Sequence, residues 1–325
     1  MQGKEASEQE STKCTAGIDV SKDWLDAHVM PADESLRVAN TSEGIRKLKR
    51  WLVLHEPELV AVEATGKWHR ELCRSLHASA IAVAVSDPYR VRMFAKAQGI
   101  LAKTDKIDAR VLAQFAAVMA PTVRPPASQA LEALQELVTA QNSAVAERTA
   151  LKNQLVAAES AFLKSQLACR IKELSVHIAA IRQETLRRIK ADEGLAKRYT
   201  ILTSIPGFGP IAAETLIACL AELGAITHKQ AGSLAGLAPV ANDSGQRRGA
   251  RSIWGGRAIV RKILYLAAVS ASRYNADMKI FYRRLIANGK APKAALIAVA
   301  RKLLVLANTL ITQNRTWQPT APKPA

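Results

Sequence analysis

"TAGIDVSKDWLDAHVMPADESLRVAN", residues 15–40, is the stretch whose reading decides the fold. It divides into three short runs rich in strand-forming residues, 15–22, 25–31 and 35–40, separated by turn residues. That pattern predicts an antiparallel meander. The first run carries one acid, Asp19, among apolar neighbours, where a lone charge is costly unless it is paired or meets a cation. Moving outward, "TSEGIRKLKRWLVLH" (41–55) reads as a helix opened by Thr/Ser caps, and "ELVAVEATG" (58–66) as a buried strand with Glu63 at its end. "HRELCRSLHAS" (69–79) is a helix, "AIAVAVSD" (80–87) a second buried strand, and "PYRVRMFAKA" (88–97) a helix with proline at its start. The predicted order is β-β-β-α-β-α-β-α: a mixed sheet with helices packed on it.

The last helix of this half begins in "AKTDKIDARVLAQF" (102–115), where Ile107, Val111, Phe115 and Val118 recur at helical spacing. Asp105 and Asp108 then stand one turn apart on a neighbouring face. Two readings fit them. Thr104 can cap the helix, the dipole favours an acid in the first turn, and Asp108 can pair with Lys103 or Lys106. Alternatively a metal ion lies between them. Glu63 argues for the second, because sites in α/β sheets form at the carboxyl ends of strands.

Composition narrows the function. The chain has 325 residues, 49% hydrophobic and 5% aromatic, with a formal charge of +18. The charge is unevenly placed: residues 201–325 hold 17 Lys and Arg against 4 acids, whereas residues 1–120 hold 17 against 16. A basic part beside a near-neutral part points to a polyanion gripped by one domain and processed by another. No stretch of 18 uninterrupted apolar residues occurs, and "MQGKEASEQESTK" has no apolar signal-peptide core. The expectation is therefore a soluble cytoplasmic protein, without membrane attachment, whose partner is nucleic acid. The 4 cysteines and 6 histidines are scattered, which excludes a zinc site or a disulfide framework.

Beyond the first half, "APTVRPPASQ" (120–129) is a proline-rich joint. Neither Gly nor Pro occurs from Ala127 to Glu193. Two seams of apolar residues, one from Leu131 and one from Leu167, step at 3-4 spacing and predict a coiled-coil helical hairpin. After Tyr199 the chain reads as helices with glycine hinges, including long ones over 257–288 and 292–313. "IPGFGP" (205–210) is either a plain helix–helix turn or a helix-hairpin-helix grip in which Gly207 and Gly209 let backbone N–H groups meet a phosphate. In "PVANDSGQRRGARS" (239–252), Ser244 precedes a glycine and then Arg247, Arg248 and Arg251. This is either a solvated turn or a phosphate cradle presenting a hydroxyl nucleophile. Arg257, Arg261 and Lys262 extend the basic run as candidate nucleic-acid contacts.

Asp19, Glu63, Asp105 and Asp108, on a meander followed by α-β-α-β-α, resemble the D-E-D-D set of the RNase H-like superfamily, Holliday-junction-resolvase type. With "GIDVSK", "EATG" and "KTDKIDAR" in the first half and "SIPGFGPIAAETL", "GLAP", "SG" and "RRG" in the second, the chain resembles the insertion sequence one-hundred-ten family of transposases, which are bridge-RNA-guided DNA recombinases. The resemblance runs from about Ala16 to Ile311. It implies that the four acids coordinate Mg²⁺ and that Ser244 is the nucleophile forming a transient phosphoserine link. It further implies a bridge RNA that pairs with donor and target double-stranded DNA, and dimers that assemble into tetramers. The expected organisation is a disordered tail (1–13), an RNase H-like catalytic domain (14–126), a helical hairpin (127–198), a basic helical transposase domain (199–315) and a flexible tail (316–325). The four acids alone also fit a Mg²⁺-dependent structure-specific endonuclease.

Overall fold

The computed structural model describes residues 13–102, 104–241, 243–245, 249 and 251–319, and of Lys106 only the backbone. The tail expected over 1–13 lies almost wholly outside these residues. The chain divides into two units, with the boundary between Ala127 and Ser128.

In the first unit, β1 (Thr15–Val20), β2 (Trp24–Met30) and β3 (Glu34–Ala39) form the antiparallel meander. Helix α1 (Ser42–His55) leads to β4 (Leu59–Glu63), and α2 (Arg70–His77) to β5 (Val83–Ser86). The sheet order is β3-β2-β1-β4-β5, with β4 parallel to both β1 and β5. Helices α3 (Pro88–Ala97) and α4 (Asp105–Met119) complete the unit. This order and these directions are those of the RNase H-like fold.

Strand alternation sorts the residues onto two faces. Ala16, Ile18 and Val20 of β1, with Val60 and Val62 of β4, bury themselves against Leu48 and Leu52 of α1 and Leu72 and Leu76 of α2. The opposite face carries Thr15, Gly17 and Asp19 of β1 and Leu59, Ala61 and Glu63 of β4. Ala61 meets Val91 and Ala95 of α3 and Val111, Leu112, Phe115 and Ala116 of α4 there. The buried stripe of α4 is thus Val111, Leu112, Phe115 and Ala116. Val118, placed on the stripe by spacing, is 66% exposed, because it lies in the last turn beyond the sheet.

Helix α4 rests directly on β1. A Cβ at Gly17 would stand 2.2 Å from the Ala109 carbonyl oxygen and 2.3 Å from the Ala113 nitrogen. Thr15 Oγ1 donates to the Ala113 carbonyl at 3.0 Å, fixing the helix along its length. Replacing Gly17 with Ala forces backbone apart and is expected to cost at least about 3 kcal/mol. A wild-type melting curve for Gly17→Ala would show that α4 does not press on β1.

The second unit opens with an antiparallel pair of long helices, α5 (Gln129–Ala157) and α6 (Ala161–Ala191). Their buried seam includes Leu134, Val138, Gln141, Ala144 and Leu151 on α5 and Leu167, Ile178, Ile181 and Thr185 on α6. Then come α7 (Glu193–Thr203), α8 (Pro210–Cys219), α9 (His228–Leu234), a two-stranded ribbon of β6 (Pro239–Val240) and β7 (Ser252–Ile253), α10 (Ala258–Tyr274), α11 (Ala276–Ala287) and α12 (Pro292–Thr312). The helix expected over 257–288 is broken at Asn275. That side chain caps α11 by accepting from the Met278 N–H at 3.2 Å and donates to the Pro206 carbonyl at 3.1 Å. Helix α12 is long and apolar enough to cross a membrane. It is nonetheless packed as a core helix, with Val299, Ala300, Leu303, Leu304, Ala307 and Leu310 buried. Trp317, expected in a flexible tail, packs on the same core, and its N–H donates to Ser204 Oγ at 2.8 Å.

Candidate active site

Three elements converge on one edge of the first unit. Ile18 pairs with Val62 across the parallel β1–β4 ladder, so the next residues, Asp19 one short of the end of β1 and Glu63 at the end of β4, stand side by side on the α4 face. Helix α4 brings its first turn to the same edge: Thr104 caps it, accepting from the Ile107 N–H at 3.3 Å, and Asp105 and Asp108 follow. Asp19 reports the convergence. Its carboxyl is raised to about 6, first by burial and then by the charges of Asp108, Glu63 and Asp105, against a lowering hydrogen bond from the Val20 N–H.

Two further residues share this face, and the sequence alone does not reveal them. The β1–β2 register sets Asp26 opposite Asp19, and the β2–β3 register sets Arg37 opposite Asp26. Arg37 reaches Asp105 Oδ2 at 3.5 Å and Asp26 Oδ1 at 3.7 Å while stacking over Trp24 at 5.0 Å. Among the described residues Arg37 is a cation beside Asp105. Lys103 and the Lys106 side chain, considered from sequence as partners of Asp108, lie outside the described residues. Burial raises the Asp26 carboxyl, Arg37 opposes that, and Asp105 adds to it. A groove of about 430 Å³ lined by Asp26, Arg37, Thr104 and Asp105 opens beside the cluster.

Among the described residues no three acids, histidines or cysteines form a ready-made metal cage. The donor set still suits a hard cation. Mg²⁺ keeps several of its waters and needs only one or two direct carboxylates, and the crowding around Asp19 is the field such an ion relieves.

In the second unit, Ser244 is exposed at a turn, followed by Gly245 at φ +51°. Asp243 ties the loop together: its Oδ1 accepts from the Gly249 N–H at 3.1 Å and its Oδ2 pairs with Arg251 at 2.8 Å. Arg247 and Arg248 lie outside the described residues. Two other arginines of the basic run make contacts within the domain, Arg257 half-buried and Arg261 at the surface. Arg257 grips Glu222 with both Nη atoms, at 2.7 and 2.5 Å, and donates to the Cys219 carbonyl at 2.9 Å. Arg261 donates to the Gly255 carbonyl at 2.5 Å. Lys262 is exposed.

The hairpin between α7 and α8 also divides its glycines. Gly207, at φ +109°, leaves room for Ala271 of α10, whose Cβ a side chain there would meet at 2.5 Å. Its role is packing and turn geometry. Gly209 faces open space at the N-terminus of α8, where backbone N–H groups are able to meet an anion.

Comparison with known proteins follows the same division of the chain. A family model described as "Transposase", of the DEDD type named for IS110, matches residues 16–159. A second, "Transposase IS116/IS110/IS902 family", matches residues 199–283. The chain belongs to the IS110 family of transposases. Among its relatives, the "Pilin gene-inverting protein" of Moraxella bovis is 29% identical over 323 residues, covering 94% of this chain and 98% of that protein. The protein of the same name from Moraxella lacunata matches at the same identity and coverage. A solved structure, "T. thermophilus RuvC in complex with Holliday junction substrate", matches 35% of this transposase and 99% of that chain at 18% identity and TM-score 0.27.

Proposed function

We propose that this transposase cuts and rejoins DNA strands through a transient phosphoserine at Ser244, with Asp19, Glu63, Asp105 and Asp108 holding Mg²⁺ and a bridge RNA selecting donor and target. The observation that carries the reading is the gathering of Glu63, Asp105 and Asp108 around Asp19 in a chain that also exposes a Ser-Gly turn within a basic domain. A relative named for inverting a gene supports it, since inversion requires every cut strand to be rejoined.

Ser244 Oγ attacks phosphorus, forming an Oγ–P bond as one P–O(sugar) bond breaks; the hydroxyl proton ends on the departing sugar oxygen. A strand hydroxyl then attacks the phosphoserine and the serine is released. Each step exchanges one phosphodiester for another, so no ATP is required. A metal held by Asp19, Glu63, Asp105 and Asp108 would neutralise charge on the phosphoryl group. Asp19 and Glu63 hold their positions through the strand ladder, and Asp105 through Arg37. Basic side chains directed at phosphates give affinity without sequence choice, so base pairing with the RNA supplies the choice. Action as a homo-oligomer in the cytoplasm, on the nucleoid, belongs to the same reading.

Expressing the protein with the DNA flanking its gene and sequencing the co-purifying RNA tests the guide. One discrete RNA mapping beside the gene supports it. Bulk cellular RNA, or none, favours the structure-specific endonuclease, for which the four acids alone suffice.

The loop carrying Ser244 yields a separate expectation. Replacing Asp243 with Ala releases Arg251 and the Gly249 N–H, so strand joining is expected to fall about tenfold through misplacement of the hydroxyl. DNA affinity should stay within about twofold of wild type in the same titration, since one exposed pair contributes little. Undiminished joining would show that Asp243 does not shape the turn.

A further inference from the structure

Helices α11 and α12 and the segment returning after α12 border an open cavity of about 890 Å³ that the proposed strand chemistry does not use. Its walls include Phe281, Leu306 and Trp317, and three cations, Arg284, Lys302 and Arg315, line it together with one acid, Asp277. The cations are held in place. Lys302 Nζ sits 4.5 Å and the Arg284 guanidinium 5.4 Å from the centre of the Phe281 ring, and Arg315 Nε donates to Gln313 Oε1 at 2.7 Å. The chain at Trp317 is tied down by its backbone N–H, which donates to Ser204 Oγ, and the ring packs on the core of the unit.

A ligand for this cavity must offer a flat apolar body to the interior and a negative charge to the lining cations. An unpaired nucleotide has both parts: a base that packs on Trp317 and Leu306, and a phosphate for Arg284, Lys302 and Arg315. A base within a duplex is stacked on its neighbours and does not present its face. The volume lies in the range of pockets that enclose ligands of this size. We propose that the cavity takes up an unpaired nucleotide of a single-stranded nucleic acid. The inference goes beyond the phosphoserine reading and does not depend on Ser244, on the four acids or on an RNA guide.

The test is fluorescence anisotropy of the full-length protein with three labelled probes: a single-stranded RNA of about 12 nucleotides, a DNA of the same sequence, and a DNA hairpin duplex, each at several salt concentrations. Trp317→Ala is expected to weaken single-strand binding about tenfold without altering its salt dependence, through lost stacking. The double variant Arg284→Ala/Lys302→Ala should weaken it and lower the slope of log affinity against log salt by about 1.4. Duplex binding should stay within about twofold in both. Because Trp317 also packs on the core, Lys302→Glu at an exposed position and Trp317→Phe, which keeps an aromatic face, accompany them. Lys302→Glu should lose single-strand affinity and Trp317→Phe should retain most of it. The RNA and DNA probes decide which strand the cavity prefers. Unchanged single-strand affinity in Lys302→Glu and the double variant, or an equal loss on the duplex, overturns the proposal. A concentration-dependent rise in mass abolished by Lys302→Glu, with nucleic-acid affinity intact, would overturn it in favour of a second copy of the chain.

Discussion

Replacing Ser244 with Ala is expected to reduce strand joining by on the order of 10³-fold or more, because it removes the atom that, in the proposed mechanism, forms the new bond to phosphorus. The fold should not register the change, since Ser244 is exposed in a turn. Affinity for DNA and for co-purifying RNA should stay within about twofold, as phosphate contacts by the basic side chains are untouched. A gel-based joining assay with a paired binding titration separates the two effects. An enzyme using activated water would cut without joining, so wild-type joining by Ser244→Ala would leave strand exchange to the four acids and remove the serine from the mechanism.

Replacing Asp19 with Asn is expected to move two observables in opposite directions. Strand cutting should fall by on the order of 10²–10³-fold, since a carboxylate is lost from the cluster that, in the proposed mechanism, holds the metal at the scissile phosphate. Stability without metal should rise. Asp19 is raised to about 6 in the folded protein from 3.8, by burial and by Asp108, Glu63 and Asp105. The stability it contributes is fully present below pH 3.8 and is lost as pH rises through about 6. At neutral pH its ionised form therefore opposes folding, by about 1–2 kcal/mol once solvent screening at this half-buried edge is discounted. The Asn variant escapes this and should melt a few degrees higher in EDTA at pH 7. The advantage should vanish near pH 4 and shrink when Mg²⁺ is added to both proteins. Equal melting temperatures at pH 7 would mean that the other three acids do not crowd Asp19.

What the sequence discloses about this molecule depends on how local the cause is. The meander, the two parallel strands and α4 follow from alternation, a proline at position 88 and a threonine cap at position 104, all set within a few residues. Gly17 is legible only in retrospect. It reads as a gap in an apolar strand, yet it is the place where α4 presses its backbone to β1. The four acids are visible because their order on a familiar pattern of elements places them at one edge. Asp26 and Arg37 are not, because only the pairing of β2 with both neighbours shows that they share the face of Asp19.

Long-range pairing also explains the arginines. Sequence gives Arg257 and Arg251 the same appearance, two basic residues in a basic stretch. Glu222, 35 residues earlier in the chain, takes the whole guanidinium of Arg257, whereas Arg251 meets Asp243 at the surface. The break at Asn275 is a similar case. An asparagine inside an apolar periodic run is a weak signal, and its bond to the Pro206 carbonyl reaches back to the α7–α8 turn.

The most direct measurement is peptide mapping of the covalent complex formed when the full-length protein, with Mg²⁺ and its co-purifying RNA, is quenched in denaturant during reaction with labelled DNA. The expected result is a nucleotide mass on the peptide containing Ser244, absent from Ser244→Ala and from Asp19→Asn. Cut strands with free ends and no protein-linked DNA at any time point would contradict a serine-linked recombination.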